Sequence, residues 1–334
     1  MTTQAAHVEP GLVSTIIPVF NRAAMLREAV GSVLAQTHRP IELIIVDDGS
    51  TDDTPMLGRA LADDHPREVR FVTQANGGPG RAREAGRRQA RGEFIQYLDS
   101  DDLLHPRKFE VQVAALRARP DCGVAYCYTR HYRVSDAPVD VPWKGSGSTV
   151  DAMFPSFLTE RWWDTPTPLY RRSVCEAAGP WEPLSLHEDW EYDCRVAALG
   201  TRLVHCREFL ADVRDHAEAR LCRGSAFDAA RNRERARAYA LIYRHARRAG
   251  IGPGDVHMQR FARSLFLLAR QCGASGLPGE AAELFELAVA ASGPQRVRAI
   301  DYRLYRVAAT CLGWRAVGHI ARLVDLARSS VRAS

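Results

Sequence analysis

Short apolar runs alternate with amphipathic segments along the first half of the chain. Five runs rich in β-branched or aromatic residues predict strands at 13–19, 41–46, 69–73, 94–98 and 123–128. Segments with apolar residues at helical spacing predict helices at 23–36, 81–91 and 106–119. Strands that alternate with helices predict an α/β fold, with a mostly parallel sheet and helices on both faces.

The second half of the chain has a different pattern. Pro, Gly and Ser are frequent at 135–148, which predicts a loop, and a helix at 189–198 and a strand at 202–205 follow it. Beyond residue 217 the pattern is helical almost throughout, and 263–291 predicts a helical hairpin that turns at 273–279. We therefore expect an N-terminal tail at 1–11 and an α-helical C-terminal region at 217–334, with the α/β domain between them.

The net charge of +5 over 334 residues is the difference between two unlike parts. Residues 217–334 contain 20 Arg and 9 Asp or Glu, a balance of +11, whereas residues 1–216 contain 25 basic and 31 acidic residues, a balance of −6. Lys108 and Lys144 are the only lysines. Because the excess is nearly pure arginine and no nucleic-acid-binding motif accompanies it, we expect no nucleic-acid partner.

Membrane-spanning and secreted classes are disfavoured by the same patterns. No apolar run approaches the roughly 20 residues that a membrane-spanning helix needs. Residues 1–10 lack the charged and apolar regions of a signal peptide. The eight cysteines form no CxxC pair, which predicts free thiols in a reducing compartment. We therefore expect a cytoplasmic location.

Acidic and polar residues follow three of the predicted strands. These clusters are PVFN at 18–21, DDGSTD at 47–52 and DSDD at 99–102. In an open parallel sheet the carboxyl ends of the strands meet at one crevice, where ligands bind. Carboxylates that converge there repel one another unless a cation or hydrogen-bond donors compensate them. The pattern predicts a Mn²⁺ or Mg²⁺ site, although each cluster alone is also typical of helix caps and turns.

Four motifs in order resemble the inverting glycosyltransferases of family 2, which have the GT-A nucleotide-diphospho-sugar fold. They are VSTIIPVFNR at 13–22, IIVDDGSTD at 44–52, QANGGP at 74–79 and FIQYLDSDD at 94–102. The resemblance covers about residues 12–216. It implies a GT-A domain there, with a nucleotide-sugar half at about 12–130 and an acceptor half at about 131–216.

The resemblance also implies roles for residues on the donor side. Phe20 falls where the family places an aromatic ring against the nucleotide base, and Asp48 where a carboxylate accepts from that base. Arg83 matches a basic residue near the base and the diphosphate. Asp99 is similar to the carboxylate that contacts ribose and sometimes the metal, and Asp101 to the main metal ligand of the DxD motif. The nucleotide-binding set also includes Pro18, Asn21 and Ser100.

Three further positions concern the acceptor side and the metal. HEDWE at 187–191 resembles the Glu-Asp motif of the family, which implies that Asp189 deprotonates the acceptor hydroxyl and that Glu188 binds or orients the acceptor. Two acids at a helix start also simply favour the helix dipole. VRDH at 213–216 resembles an Arg-x-His motif, so His216 is a candidate for metal or diphosphate contact, or a structural histidine.

Glu84 departs from the family, which commonly has Asn there.

The implied function is an inverting, metal-dependent glycosyltransferase that uses a nucleotide-diphospho-sugar. We expect the nucleotide of the donor to be UDP, and dTDP and GDP remain alternatives. The expected acceptor is a glycan or lipid-linked hydroxyl in bacterial polysaccharide, lipid-linked or cell-surface glycan synthesis. Two alternatives remain at this point: a non-catalytic sugar-nucleotide-binding or scaffold protein, which needs no base, and a nucleotidyltransferase, which usually has a Gly-rich loop after its first strand.

The basic C-terminal region admits three interpretations. Its arginines cluster at 231–248, and 296–328 is basic and amphipathic. The first interpretation is a solvated helix face. The second is peripheral contact with an anionic membrane surface, such as the inner membrane face. The third is an oligomer interface.

Overall fold

The computed structural model of the chain describes residues 8–216, 225–293 and 300–332. Its strands are β1 Glu9–Val19, β2 Ile41–Asp47, β3 Val69–Thr73, β4 Gly92–Tyr97, β5 Leu103–Leu104, β6 Cys122–Arg133, β7 Leu169–Arg171 and β8 Arg202–Asp215. They form one sheet in the order β3-β2-β1-β4-β7-β6-β8-β5. The pairs β1/β2, β1/β4, β2/β3 and β6/β8 are parallel, and the pairs made by β7 and β5 are antiparallel. The predicted α/β class with a mostly parallel sheet is confirmed.

Helices connect most of these strands. In the first 216 residues they are α1 Ala23–Leu34, α2 Thr54–Asp64, α3 Pro79–Gln89, α4 Lys108–Ala118, α5 Arg172–Ala178 and α6 Glu188–Ala198. The C-terminal region contains α7 Ala229–Arg248, α8 Val256–Ala274, α9 Pro278–Ala291, α10 Ile300–Leu312 and α11 Trp314–Arg332. The predicted helical C-terminal region is confirmed for the described residues.

The strongest apolar patterns became the core of the sheet. Every residue of β2 is buried, and β1 is buried from Gly11 onward, as expected for strands covered on both faces. Helix α1 buries Leu26, Ala29 and Val33, which recur at helical spacing. Helix α3 starts at Pro79, two residues before the predicted start, because proline fits the first helical position.

Two predicted strands were too short. Instead of 123–128 and 202–205, β6 and β8 run to Arg133 and Asp215 and pair in parallel between those ends. The distal half of β6 is mostly polar, and charged residues interrupt the apolar residues of β8, so no simple apolar run marks either half in the sequence. Cross-strand ion pairs replace it: Arg130 lies opposite Asp212 in the register, and Arg130 Nε donates to Asp212 Oδ1 at 2.6 Å.

Helix α2 was not predicted, and Gly58 lies in its middle. The structure shows why glycine occupies this position. A Cβ on Gly58 would lie 2.1 Å from Cε2 of Phe71, the aromatic residue of the adjacent strand β3. The close packing of α2 on β3 therefore requires a residue without a side chain at position 58.

The chain divides into two compact units. Of the described residues, the first comprises 8–153, 161–192 and 199–216, and the second comprises 154–160, 193–198, 225–293 and 300–332. Within the second unit, α8 and α9 form the predicted hairpin, and glycines let α8 approach α11: a Cβ on Gly318 would lie 2.3 Å from the Ala274 nitrogen. The domain boundary predicted at 216/217 stays a prediction, since 217–224 lie outside the described residues.

Several sequence expectations also concern residues that the structure does not describe. Cys222 and residues 294–299 of the basic C-terminal region lie outside the described residues. In the part that is described, seven cysteines occur and none forms a disulfide. None of the described helices combines the length and the apolar character needed to cross a membrane.

Candidate functional site

Asn21 ties the carboxyl ends of β1 and β2 together. Its main-chain N–H donates to Ser50 Oγ at 2.8 Å, and its Oδ1 accepts from the Thr51 N–H at 2.7 Å. The main chain at Asn21 has φ 49°, a left-handed conformation that Asn tolerates better than most residues. Pro18 is buried in β1, whereas Phe20 is 46% exposed. The turn therefore leaves an aromatic ring accessible at the strand end, as its predicted contact with a base requires.

Asp48 organises the loop between β3 and α3. Its Oδ1 accepts from Gln74 Nε2 at 2.7 Å and from the Gly77 N–H at 2.9 Å, and its Oδ2 accepts from the Gly78 N–H at 2.7 Å. A carboxylate accepts about four hydrogen bonds, so one position remains for a ligand donor. The carboxylate of Asp48 thus has the hydrogen-bonding capacity for the predicted contact with a base in addition to its contacts with this loop.

Arg83 joins the donor-side and acceptor-side motifs. Its Nη2 donates to Asp99 Oδ1 and its Nη1 to Glu188 Oε1, both at 2.6 Å. The arginine is 3% exposed, and its guanidinium lies 5.0 Å from the centroid of the Trp181 ring. A planar guanidinium with several fixed donors is suited to bridging two carboxylates. Residues that are 105 positions apart in the sequence, Arg83 and Glu188, therefore belong to one buried cluster.

Glu84, the departure from the family pattern, has a structural role in this chain. It accepts from Arg87 Nε at 2.7 Å and from Arg88 Nε at 2.8 Å on the same helix. It also accepts from the Trp181 N–H at 3.2 Å. Glu84 thereby supports the backbone of the tryptophan whose ring packs against Arg83.

The two acids of the Glu-Asp motif have opposite electrostatic environments. Burial, together with the neighbouring charge of Asp189, raises the pKa of Glu188 to about 7. Burial acts the same way on Asp189, but Arg161 and Arg83 outweigh it and hold the pKa of Asp189 below its usual range. Arg161 Nη1 lies 2.6 Å from Asp189 Oδ2. At neutral pH Asp189 is therefore ionised and able to accept a proton.

Asp101 and His216 are brought together. His216 Nε2 and Arg22 Nη1 each lie 2.8 Å from Asp101 Oδ2. Arg214 fixes the adjacent main chain, since its Nε donates to the Asp101 carbonyl oxygen at 2.6 Å. Ser100, between the two acids of the DxD motif, is buried.

Negative charge accumulates at the end of β4. The pKa of Asp102 lies well above its usual range, because burial and the neighbouring charges of Asp101 and Asp99 disfavour its ionised form. A local excess of carboxylates of this kind attracts cations, and Arg22 already occupies one side of Asp101.

Asp101 and His216 form a candidate ligand pair for a divalent cation. One carboxylate and one imidazole, Asp101 and His216, meet there, while Asp99 is held by Arg83. Within 8–216, 225–293 and 300–332, no group of three or more His, Cys, Asp or Glu side chains is placed to hold a metal ion. Mn²⁺ accepts carboxylate and imidazole ligands, and Mg²⁺ commonly uses one or two carboxylates plus substrate phosphates and water. Two protein ligands therefore suffice if a diphosphate supplies others.

The structure thus groups the predicted residues into three neighbouring sets. Arg83 joins Asp99 and Glu188, His216 joins Asp101, and Asp48 lies with the loop before α3. Sequence reasoning assigned no role to Arg22 and did not consider Arg161. Arg161 lies 28 residues before its partner Asp189 in a stretch without regular secondary structure, so no local pattern marks it.

Trp162 and Trp163 are adjacent in the chain but differ in their exposure to solvent. Trp163 is fully buried and lies 5.3 Å from the Tyr126 ring, so it belongs to the core. Trp162 is partly exposed and packs on Gly145, where a Cβ would lie 2.9 Å from its side chain.

Comparison with known proteins places this site in a family context. The family model described as glycosyl transferase family 2 matches residues 14–171. An uncharacterised glycosyltransferase of Rickettsia felis is 36% identical over 146 residues, which are 44% of this chain and 23% of that protein. This chain spans between 20% and 61% of the length of eight curated relatives.

Two solved structures show the same fold. S. aureus TarS 1–349, in complex with UDP-GlcNAc, has a TM-score of 0.66 at 18% identity, with 93% of this chain and 91% of that chain covered. The mannosyltransferase PcManGT from Pyrobaculum calidifontis, in complex with GDP-Man and Mn²⁺, has a TM-score of 0.51 at 20% identity, with 94% of this chain and 87% of that chain covered. At these identities the likeness establishes the fold, and the predicted GT-A-type architecture is confirmed.

Proposed function

We propose that this chain, whose residues 14–171 match the family model of glycosyl transferase family 2, is an inverting, metal-dependent glycosyltransferase. It transfers a sugar from a nucleotide-diphospho-sugar, with UDP favoured, to an acceptor hydroxyl. The observation that best supports this proposal is the Arg83 bridge, which links Asp99 on the donor side to Glu188 on the acceptor side through two contacts of 2.6 Å. A binding protein has no need for an ionised acid beside such a bridge, whereas transfer to a hydroxyl needs a base.

The donor side is assigned to the ends of β1, β2 and β4. Phe20 stacks on the base, and Asp48 accepts from it while holding the loop before α3. Asp99 binds ribose, and Arg83 balances the charge of Asp99 close to the diphosphate. TarS was solved with UDP-GlcNAc and PcManGT with GDP-Man, which supports a nucleotide-sugar donor for this fold.

A divalent cation is assigned to Asp101 and His216, with Asp99 as a further candidate ligand. When bound, it neutralises the charge that develops on the diphosphate leaving group. Mn²⁺ is present in the PcManGT complex.

The chemical step is a single displacement. The acceptor O–H bond breaks as Asp189 takes the proton, and the acceptor oxygen forms a bond to the anomeric carbon. The bond from that carbon to the diphosphate oxygen breaks, and the nucleoside diphosphate leaves. Attack from the face opposite the leaving group turns an α-linked donor into a β-linked product. Glu188, held by Arg83, orients the acceptor.

The biological setting is part of the same proposal. We assign the acceptor to a glycan or a lipid-linked hydroxyl in bacterial polysaccharide or cell-surface glycan synthesis, and the location to the cytoplasm. The arginines of α7 supply positive charge for peripheral contact with an anionic membrane surface, and salt-sensitive binding to anionic vesicles is the corresponding test.

Replacement of Asp101 with Asn is expected to weaken Mn²⁺-dependent UDP binding about tenfold or more, a loss comparable to those seen when the surroundings of metal ligands are altered. Thermal-shift titrations with UDP, dTDP and GDP, each with and without Mn²⁺, measure this change, because a ligand of the native state raises the melting temperature. We expect UDP with Mn²⁺ to stabilise the native protein most. Asp63→Asn, an exposed change on α2, serves as the matched control. Equal Mn²⁺ enhancement in wild type and Asp101→Asn would remove Asp101 from the metal site.

A further inference from the structure

The proposed base, Asp189, is held at both of its carboxylate oxygens. Oδ2 lies 2.6 Å from Arg161 Nη1, and Oδ1 accepts from the Trp190 N–H at 2.7 Å. Two anchors on opposite oxygens fix the plane of the carboxylate as well as its position. The Arg161 side chain is 10% exposed and that of Asp189 is 28% exposed, so this pair is largely removed from solvent while the acid remains accessible.

The remaining lone pairs of Asp189 are available for a substrate. Each carboxylate oxygen accepts about two hydrogen bonds, so each oxygen keeps one acceptor direction after the contacts with Arg161 and Trp190 are made. An incoming hydroxyl can therefore donate to Asp189 without displacing Arg161.

We propose that Arg161 is a positioning residue for the base: it holds the Asp189 carboxylate in one orientation and keeps it ionised until the acceptor hydroxyl donates its proton. This inference rests on the proposed function, because it assigns Arg161 to the proton-transfer step of that reaction. Arginine suits the role, since its guanidinium stays protonated at all physiological pH values. Arg161 consequently neither donates nor accepts a proton in this step, and the proton of the acceptor hydroxyl stays on Asp189.

Other groups around Asp189 also influence whether its carboxylate is ionised. Arg83 and, when protonated, His187 favour its ionised form, whereas burial and the adjacent Glu188 carboxylate disfavour it. Arg161 is the charged side chain that contacts the carboxylate in the described part of the chain, and it has the largest effect among the groups that lower the pKa of Asp189. Without Arg161, burial and Glu188 are opposed by the Trp190 N–H and by more distant charges.

The pKa of Asp189 in the full chain tests this inference without any need for activity. The probe is ¹³C NMR titration of protein labelled with ¹³Cγ-Asp, with the Asp189 signal identified by its loss in Asp189→Asn. We expect Arg161→Gln to raise the pKa of Asp189 by about one to three pH units, the range typical for removal of an adjacent opposite charge. Arg161→Lys, which keeps the charge, should raise it by less. If Arg161→Gln and Arg161→Lys both leave the pKa of Asp189 unchanged, the inference is wrong.

An exposed ion pair of the same kind provides the control. Arg202 Nη1 lies 2.7 Å from Asp121 Oδ2, and both side chains are more than 40% exposed. Arg202→Gln should leave the pKa of Asp189 and the transfer rate unchanged.

The pH profile of the reaction separates this inference from the proposed function. If Asp189 is the base, the acid limb of the kcat profile should move to higher pH in Arg161→Gln by the same amount as the NMR pKa. Arg161→Lys should lower kcat without changing KM for the donor, because the charge remains while the orientation of Asp189 is lost. A shifted NMR pKa with an unshifted kcat profile would support the electrostatic contact but contradict the role of Asp189 as base.

Discussion

Asp189→Asn should lower the rate of sugar transfer by about 10²- to 10⁴-fold, the contribution typical of a positioned general base. Asn has the same shape as Asp but cannot take a proton from the acceptor hydroxyl. Asp48 and Asp99, which are assigned to the nucleotide, are held by the loop before α3 and by Arg83, whereas Asp189 is held by Arg161 and the Trp190 N–H. The affinity for UDP should therefore change by less than about threefold. Release of UDP from the donor measures the rate, and isothermal titration measures the binding.

The matched control for this prediction is Asp63→Asn, which makes the same chemical change on the exposed surface of α2. It should leave both quantities unchanged. Transfer at a wild-type rate by Asp189→Asn would show that another group is the base, and Glu188, whose pKa is about 7, would be the first to test.

Arg83→Gln should destabilise the protein by about 3 to 5 kcal/mol, the loss typical when one partner of a buried ion pair is removed. The Arg83 guanidinium now lies 2.6 Å from a carboxylate oxygen of Asp99 and of Glu188. Without it, the charges of these two acids would no longer be compensated. The pKa of Glu188, already about 7, should rise further, because Arg83 lowers it at present. Urea unfolding at constant pH measures the free energy of unfolding.

Arg88 offers a contrast on the same helix. Arg88 Nε lies 2.8 Å from Glu84 Oε1, but the Arg88 side chain is 72% exposed. Arg88→Gln should lower the free energy of unfolding by less than about 1 kcal/mol, as is usual for exposed ion pairs. Equal losses in Arg83→Gln and Arg88→Gln would mean that the buried bridge contributes no special stability.

The parts of the fold that could be predicted are those with a local pattern. The buried strands β1 and β2 are continuous apolar runs, and α1 repeats its apolar residues at helical spacing, so their sequences suffice. Helix α2 and the distal halves of β6 and β8 depend on neighbours instead. Gly58 lowers the helix propensity of α2, but the packing of Phe71 leaves no room for a side chain at this position.

The candidate site divides in the same way. Strand-end acids such as Asp48 and Asp101 follow from the order of the strands, because the carboxyl ends of parallel strands lie at one edge. The contacts of Arg83 with Glu188 and of Arg161 with Asp189 join residues 105 and 28 positions apart. No spacing rule connects such pairs, and only the folded chain reveals them.

The configuration at the anomeric carbon of the product decides whether the site performs the proposed single displacement. Proton NMR of the reaction, started with an α-linked UDP-sugar, records the anomeric signal of the product as it first forms. The geometry of one base, Asp189, acting on the acceptor predicts a β-linked product from the first turnover. An α-linked product as the first species formed would contradict the mechanism proposed for this chain.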